Sequence, residues 1–254
     1  SPDGKWFVVN FFEEGGWNRG EDVGVVKADG SGELHNLTKS GYSNSFGSWV
    51  LDGKAITMYS DQYGMRSHGS WGSQNDIYLI FLEQEAYDKF CMNKEEFALY
   101  KEAEEEKNKK DKKDKDDKKE DDDDEKIVLP ELNLDFENAI DRTVRLTVVS
   151  GSHADCFITD DAEKMYYFVS FDKGYDLWVK DFKEGKVNMV AKLSKSWPYF
   201  VSDKERKSVY AVSGGKIDKI DLESGKLTPV EINAEYNYRP AEEREYIFSH
   251  VWQQ

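Results

Sequence analysis

The stretch SPDGKWFVVN, residues 1–10, joins a polar turn to a strand that is rich in apolar residues. The same pattern occurs three more times, as VLDGKAITMYSD at 50–61, ITDDAEKMYYFVS at 158–170 and VSDKERKSVYAVS at 201–213. Each copy has an aspartate in its turn, and the four are Asp3, Asp52, Asp160 and Asp203. The spacings between these aspartates are 49, 108 and 43 residues, so the chain is built from repeats.

A second strand pattern follows each copy. Its four occurrences are EDVGVVKADGSGELHNLT at 21–38, NDIYLIFL at 75–82, YDLWVKDFKEGKVNMVAKL at 175–193 and GKIDKIDLESGKLTPVEI at 215–232. Three of them contain hairpin turns with a glycine that can take a positive φ, at Asp29-Gly30, Glu184-Gly185 and Ser224-Gly225. Strands repeated in this way about every 45 residues are typical of β-propeller blades. We therefore predict an all-β fold with about four blades, forming a partial or open propeller.

The spacing of 108 residues indicates an insertion. The segment NKEEFALYKEAEEEK begins at Asn93 with a capping pattern that is completed by Glu96, and it predicts a short helix. Residues 101–126 contain 10 Lys and 14 acidic residues, which predicts a solvated, disordered loop. The DDDDE run at 121–125 lacks the spaced acids of a calcium loop, so we expect no metal there.

After the charged run, LNLDFENAIDRTVRLTVV at 132–149 has two alternating halves around ENAID, and this pattern predicts a β-hairpin. The insertion then lies between two strands of one enlarged blade. The predicted organisation is propeller blades at 1–92, a charged helical or disordered insertion at 93–127, blades at 128–235, and the start of a helix at 236–254.

The C-terminal helix is predicted to begin at Pro240, which suits the first helical position. Its apolar residues, Tyr246, Ile247, Val251 and Trp252, fall at helical spacing. We expect this face to need a partner and the helix to lead into a downstream domain. The N-terminus lacks Met and starts within a turn, so we expect the chain to be part of a longer protein.

Composition limits the classes of partner. The net charge is 35 − 51 = −16, which disfavours nucleic acid and anionic membrane surfaces as partners.

There is no signal-peptide pattern, so we expect a cytoplasmic location, with the periplasm as the alternative. Cys91 and Cys156 lie in apolar stretches and are predicted to be buried free thiols.

The polar motifs do not predict an active site. The four histidines, His35, His68, His153 and His250, have no metal-ligand spacing. Ser152-His153-Ala154-Asp155 resembles a set of triad residue types, but we interpret it as a polar loop before a strand. Ser249 and His250 are adjacent on a helix and point about 100° apart. We therefore predict no catalytic residue, no cofactor and no metal ligand.

The remaining motifs are predicted to be mainly structural. The glycine-rich loop GSWGSQND at 69–76, with Met65, Arg66, His68 and Trp71 nearby, is either a rim loop that contacts a ligand or neighbouring domain, or a simple connection. Four aromatic residues are predicted to pack between blades: Trp6, Tyr59, Tyr167 and Trp178. Three acids that follow strands are predicted to be turn residues: Asp61, Asp172 and Asp203.

The order of DIYLIFL, a charged insertion, LNLDFENAIDRTVRLTVVSG and the helix AEEREYIFSHVWQQ resembles the second propeller of tricorn proteases and their bacterial homologues. That family has the pattern I-D-F-D-G-I-x-D-R-x-V-R-L, whereas this chain lacks the usual glycine within NLDFEN at 133–138. The resemblance implies a noncatalytic propeller segment of a homo-oligomeric serine peptidase. It also implies peptide substrates and a downstream proteolytic domain in the same polypeptide that carries the catalytic residues.

Two other hypotheses remain open. The SPDGK pattern also resembles the repeats of TolB-like proteins, which implies a stand-alone protein-interaction propeller. Prolyl-oligopeptidase-type enzymes are the third possibility, and they imply a downstream α/β-hydrolase with a G-x-S-x-G motif. In each case an open arc of four blades would expose strand edges and favour self-association.

Overall fold

The structure is a computed structural model that describes residues 1–12, 20–66, 72–115, 132–235 and 237–253, with the backbone alone for 107–115. Four antiparallel sheets form the body of the chain, and the strand order in each sheet follows the chain. Blade 1 contains β1 (Trp6–Phe11), β2 (Asp22–Lys27) and β3 (His35–Asn36). Blade 2 contains β4 (Asn44–Val50), β5 (Ala55–Ser60), β6 (Asp76–Phe81) and β7 (Thr143–Arg145). Blade 3 contains β8 (Ser152–Ile158), β9 (Lys164–Ser170), β10 (Tyr175–Asp181) and β11 (Val187–Lys195), and blade 4 contains β12 (Tyr199–Ser202), β13 (Val209–Ser213), β14 (Lys216–Ile220) and β15 (Leu227–Pro229).

Three hydrophobic clusters hold neighbouring blades together. Ile56 and Ile80 of blade 2 pack against Val23 of blade 1, whereas Leu79 and Tyr59, on the opposite face of the same sheet, join the cluster shared with blade 3. A third cluster lies between blades 3 and 4. Strands β5 and β6 are buried at every position because blades cover both of their faces. The predicted all-β architecture of about four propeller blades is confirmed.

The repeated turns have the predicted glycine conformation. Gly30, Gly185 and Gly225 have φ values of 75°, 64° and 70°. The four aromatic residues predicted to pack between blades also belong to the clusters, with Tyr59 and Tyr167 buried and Trp6 and Trp178 partly buried.

Two helices follow β6: α1 (Gln84–Cys91), which lies in the range 1–92 that was predicted to form blades, and α2 (Lys94–Lys115), which lies in the predicted insertion. The capping box of α2 forms as predicted: Glu95 and Glu96 donate their backbone N–H groups to Asn93 Oδ1, and Asn93 N–H donates to Glu96 Oε2, each at 3.0 Å. The prediction of a short helix is wrong, since α2 has 22 residues. Lys, Glu and Ala have high helix propensity, so a helix can continue without a buried face. The DDDDE run, His68 and Trp71 lie outside the described residues.

A hairpin in blade 3 anchors the insertion. Lys183 Nζ donates to the carbonyl oxygens of Phe90 and Met92, both at 2.9 Å, and to that of Lys89 at 3.2 Å. These groups end α1, where a helix has unpaired carbonyls and partial negative charge. The rings of Phe90 and Phe182 also meet, with centroids 4.9 Å apart. The two helices therefore pack on blade 3, although the insertion belongs to blade 2.

The prediction of a hairpin over 132–149 is wrong. Only β7 is a strand, and a 3-10 helix at Ala139–Arg142 precedes it. The carboxylate of Asp135 accepts the backbone N–H groups of Glu137 and Asn138, and this turns the chain before a first strand can form. Buried Arg142 then donates to Phe81 O at 3.2 Å, to Asp135 Oδ2 at 3.0 Å and to Asp135 O at 2.8 Å. The DFENAIDR segment is thus a local turn that is fastened to the end of β6.

Buried Asp76, the first residue of β6, holds the following segment. Its carboxylate accepts hydrogen bonds from Arg145 Nη2 at 2.8 Å, Thr147 Oγ1 at 2.6 Å and Ser150 Oγ at 2.8 Å. Leu146 N–H also donates to Ile77 O at 2.7 Å. β7 pairs with β6, so the insertion lies between two adjacent strands of blade 2.

Helix α3 (Pro240–Gln253) forms at the tail as predicted. Its apolar residues are exposed, and the exposed fractions of Tyr246 and Trp252 are 70% and 82%.

Cys91 is exposed and Cys156 half-buried, and both thiols are free, so the prediction of a buried Cys91 is wrong. Among the described residues, no helix has the length and apolar character needed to cross a lipid bilayer.

Candidate functional site

The first strands of blades 2, 3 and 4 surround a cavity of about 470 Å³, which we name the inner-strand cleft. β4, β8 and β12 each stand at one end of their sheet, so one edge of each strand lies outside the ladder. The aromatic residues that line the inner-strand cleft are Phe46, Trp49, Tyr59, Phe157 and Phe200. Exposed strand edges beside apolar side chains can pair with an extended peptide and hold its side chains.

A bulge in β4 directs Phe46 into this cleft. The pairing of β4 with β5 shifts between Ser45 and Ser48, and Phe46 has a φ of 55°. A positive φ is rare for a bulky residue, and such strain occurs preferentially at functional sites. The Phe46 side chain is 70% exposed, and its ring meets the Tyr59 ring edge-on at 6.0 Å.

Gly47 allows the same bulge to approach blade 1. A Cβ at this position would lie 2.6 Å from Val8 Cγ2 and 2.9 Å from Val23 Cγ1, closer than side-chain carbons can pack. The backbone of β4 can therefore reach blade 1 only because residue 47 has no side chain. The bulge combines a close blade contact on one side with a projecting phenyl ring on the other.

β8 has a bulge in the equivalent place, between His153 and Asp155. Here the carboxylate of Asp155 accepts the Phe200 N–H of β12 at 2.7 Å and the Cys156 N–H at 2.8 Å. Burial raises the pKa of Asp155, while these two backbone donors act in the opposite direction. Asp155 thus connects the inner strands of blades 3 and 4.

Cys156 is a poor nucleophile in this environment. Burial is the main cause that raises the pKa of its thiol to about 12, and the nearby Asp155 carboxylate acts in the same direction. The thiolate is the reactive form of cysteine, so the thiol is inert near neutral pH. Its structural role is to pack beside Tyr59 in the wall of the inner-strand cleft.

The structure separates the side chains of the Ser152-His153-Ala154-Asp155 motif. Ser152 Oγ is 2.8 Å from Tyr175 Oη, and His153 Nδ1 faces Asn75 O at 2.9 Å. These residues lie on β8 rather than in the predicted loop. They alternate between the two faces of a strand and have different partners, so they form no nucleophile-base pair.

The other titratable motifs are also dispersed. His250 lies on exposed α3, where its ring stacks on Tyr246 at 6.0 Å, and His35 stacks on Phe136 at 4.9 Å. Asp61 is buried, accepts Ser43 N–H at 3.0 Å and pairs with Arg66 at 2.8 Å, which agrees with a structural role. Within the described part of the chain, no three His, Cys, Asp or Glu side chains form a group that could hold a metal ion.

Sequence patterns did not indicate the residues that shape the cleft. Phe46 and Gly47 lie between the repeated motifs, and only the pairing of β4 with β5 reveals the bulge. Asp155 belongs to the triad-like motif at 152–155, but its backbone partner Phe200 is 45 residues away. The signal that could have located the cleft is the position of these strands at the start of each blade.

No family model and no curated protein matches this chain. Among solved structures, the tricorn protease gives a TM-score of 0.54 at 13% identity, covering 89% of this chain and 21% of that chain. TolB from Acinetobacter baumannii gives 0.52 at 12% identity, covering 94% and 44%. A puromycin-hydrolyzing peptidase from Mycobacterium tuberculosis gives 0.50 at 12% identity, covering 94% and 29%. What they share with this chain is the fold.

These similarities support a β-propeller architecture. At identities of 12% to 13% they do not extend to activity. This chain spans less than half the length of each of the three proteins.

Proposed function

We propose that this chain is a noncatalytic propeller segment of a tricorn-like serine peptidase, and that the inner-strand cleft guides extended peptides toward a proteolytic domain. The observation that carries this proposal is the projecting Phe46 ring beside three inner strands that each stand at one end of their sheet. An extended peptide offers both backbone groups for a strand edge and side chains for an aromatic wall. A folded protein offers neither, so the cleft selects unfolded segments.

The chemistry of the cleft favours binding rather than hydrolysis. The Asp155 carboxylate accepts two backbone N–H groups, and Arg206 donates to Ile158 O at 2.6 Å while lying over the Phe157 ring at 4.4 Å. Both charged side chains therefore join blades 3 and 4. Peptide hydrolysis is assigned to the proposed downstream domain, which would belong to the same polypeptide.

Peptide binding can be tested with a fluorescein-labelled peptide of about ten residues that alternates Leu and Ser, because one face of such a strand is apolar. We expect saturable binding that weakens at least about tenfold in Phe46→Ala, as for an aromatic anchor. Phe171→Ala is the matched control, since Phe171 is 58% exposed and meets Trp178 edge-on at 5.8 Å outside the cleft. Equal loss of affinity in both variants would refute the role of the cleft. Mass spectrometry of the same mixtures should detect no cleavage.

A stand-alone TolB-like interaction propeller is the second candidate, and the similarity of its fold to TolB from Acinetobacter baumannii supports it. In such a protein the tail helix would dock on its own propeller, whereas Phe248 and Val251 of α3 are 69% and 68% exposed in this chain. The coding sequence beyond residue 254 separates the candidates. A following serine peptidase domain supports the first, a G-x-S-x-G hydrolase domain supports a prolyl-oligopeptidase-type enzyme, and an immediate stop codon supports the TolB-like protein.

A further inference from the structure

Blade 1 differs from the other blades in the number of its strands. Its sheet has the order β1-β2-β3, whereas blades 2, 3 and 4 each have four strands. The repeated turn precedes β1 in blade 1, but in the other blades it precedes the second strand, β5, β9 or β13. β1 is therefore equivalent to a second strand. In the described part of the chain, no strand pairs with β1 in the way that β4, β8 and β12 pair in their blades.

Half of the backbone groups of β1 point to its free edge. Lys5 O accepts Ala28 N–H at 2.9 Å, which marks Lys5 and every second residue after it as bonded partners of β2. The residues between them, Trp6, Val8 and Asn10, direct their N–H and C=O groups away from β2. Those groups of Val8 and Asn10 have no hydrogen bond to another described residue. Asn10 is exposed and Val8 half-buried, so this edge is open to a partner.

Ser1 already bonds to one end of the free edge. Trp6 N–H donates to Ser1 Oγ at 2.9 Å, and Ser1 N donates to Trp6 O at 2.7 Å. The repeat spacing of 49 residues relates these two residues to Val50 and Ala55, which pair between β4 and β5. The edge of β1 therefore forms bonds at the place where a first strand of blade 2 forms them.

The side chains of β1 define what an added strand would meet. Trp6 and Val8 pack on the cluster shared with blade 2. Successive side chains of a strand alternate between its two faces, so Phe7, Val9 and Phe11 lie on the opposite face. Phe7 is 58% exposed on that face. Apolar residues of an added strand that lie opposite these three side chains would cover them.

We propose that the free edge of β1 binds an extended peptide segment, which pairs antiparallel to β1 as the first strand of blade 1. Val8 and Asn10 each donate an N–H and accept through a C=O. The first strands of the other blades all pair antiparallel with their second strands, and this sets the direction. The segment carries apolar side chains opposite Phe7, Val9 and Phe11. It carries small side chains opposite Val8 and Asn10, on the face that packs against blade 2.

Charge and position favour a peptide over a second copy of this chain. Each copy has a net charge of −16, so two copies repel one another. β4 contacts both β1 and β2, and the position beside β1 is thus next to blade 2, where a single strand needs less room than a folded propeller. The inner-strand cleft contains no residue of blade 1, so this proposal and the proposed function can fail independently.

The test is amide hydrogen exchange of the full 254-residue chain, followed by NMR, because exchange reports on individual backbone groups. Without peptide, the amides of Val8 and Asn10 should exchange at least about tenfold faster than those of Phe7 and Val9, which bond to β2. The probe is acetyl-Leu-Ser-Leu-Ser-Leu-amide, whose alternation matches the two faces of β1. At saturation it should slow the exchange of Val8 and Asn10 at least about tenfold and leave Phe7 and Val9 unchanged.

Two modified peptides form a matched pair of probes. In the proposed register the serines lie opposite Val8 and Asn10, so their N–H groups face β1, whereas the N–H groups of the leucines face away. N-methylation of both serines should weaken binding at least about tenfold, because it removes donors and blocks close approach. N-methylation of the leucines should change the affinity by less than about threefold.

Two variants test the same edge from the side of the protein. Asn10→Pro removes an N–H that faces the free edge and is not needed by the β1–β2 ladder, a place where an edge strand tolerates proline. Asn10→Ala keeps that N–H and is the matched control. We expect at least about tenfold weaker binding in Asn10→Pro and a change within about twofold in Asn10→Ala. Phe46→Ala, in the inner-strand cleft, should leave the protection of Val8 unchanged.

Several results would overturn the proposal. Slow exchange of Val8 and Asn10 without peptide would show that the edge is already paired, and slowing that depends on protein concentration would assign it to a second copy. Binding of the probe without slower exchange of Val8, equal affinities of the two N-methylated peptides, or equal losses in Asn10→Pro and Asn10→Ala would also contradict it. If Asn10→Pro failed to fold, the N-methylated peptides would still decide the outcome with the wild-type chain.

Discussion

We expect His153 to make the folded protein less stable in mild acid. Its ring is 3% exposed, and Nδ1 faces Asn75 O at 2.9 Å and Asn75 Oδ1 at 3.0 Å. Two acceptors at one nitrogen require that Nδ1 carry the proton of a neutral ring. Burial lowers the pKa of His153 from 6.5 to about 4, the hydrogen bond to Asn75 and the charge of Asp76 oppose this effect, and Arg145 adds to it.

The direction and size of the effect follow from proton linkage. Above about pH 6.5 the ring is neutral in the folded and unfolded chains, and its contribution to stability is complete. Below that pH the unfolded chain takes up a proton that the folded chain excludes, so the contribution is lost as the pH falls toward 4. With 1.36 kcal/mol per pKa unit, the free energy of unfolding falls by roughly 2 kcal/mol at about pH 5 and by roughly 3 kcal/mol near pH 4.

The assay is urea unfolding of the wild type and His153→Gln at several pH values from about 7.5 to 4.5. Glutamine can still donate to Asn75 O but does not titrate. We expect His153→Gln to be less stable at neutral pH and to lose roughly 2 kcal/mol less than the wild type between pH 7.5 and 5. The raised pKa of Asp155 stabilises the folded state as the pH falls, but both proteins contain Asp155, so its effect cancels in the comparison.

Two results would refute this reasoning. Parallel pH profiles of the two proteins would show that His153 has similar pKa values in the folded and unfolded chains. An NMR titration of the His153 ring with a midpoint near its usual pKa of about 6.5 would show that burial does not exclude the proton.

Four further substitutions test other parts of the structure. Gly47→Ala should destabilise the protein by about 1 to 3 kcal/mol in urea unfolding, because its Cβ overlaps blade 1. Arg142→Ala should cost roughly 2 to 4 kcal/mol by the same measurement, since it removes three hydrogen bonds of a buried cation. Lys183→Met keeps the apolar stem but removes the donor at the end of α1, and amide exchange in α1 should become about tenfold faster without a change in the core strands. Tyr78→Phe should raise the free energy of unfolding by about 1 kcal/mol, because the hydroxyl that is lost is buried and has no hydrogen-bond partner among the described residues. A destabilised variant would show that this hydroxyl is bonded in the folded protein.

The errors of sequence prediction have specific physical causes. α2 was predicted too short because its charged half has nothing to bury, yet helix propensity acts on each residue without burial. The hairpin over 132–149 was predicted from alternation, but the Asp135 side chain competes for the backbone and turns the chain first. Cys91 was predicted to be buried from its neighbours, whereas α1 packs other side chains on blade 3 and leaves it exposed.

The repeated turn-and-strand motifs determined four blades and their turn glycines, and the 108-residue spacing between two of them located the insertion. Pro240 and the helical spacing of apolar residues predicted the helix at the tail. These features depend on the conformations of contiguous residues, and contiguous residues are what a sequence pattern records. The relative placement of distant strands decided the rest: the bulge that projects Phe46, the bond from Phe200 to Asp155, and the unpaired Tyr78 hydroxyl. Such contacts join residues tens of positions apart, and they arise only when hydrophobic burial packs the blades against one another.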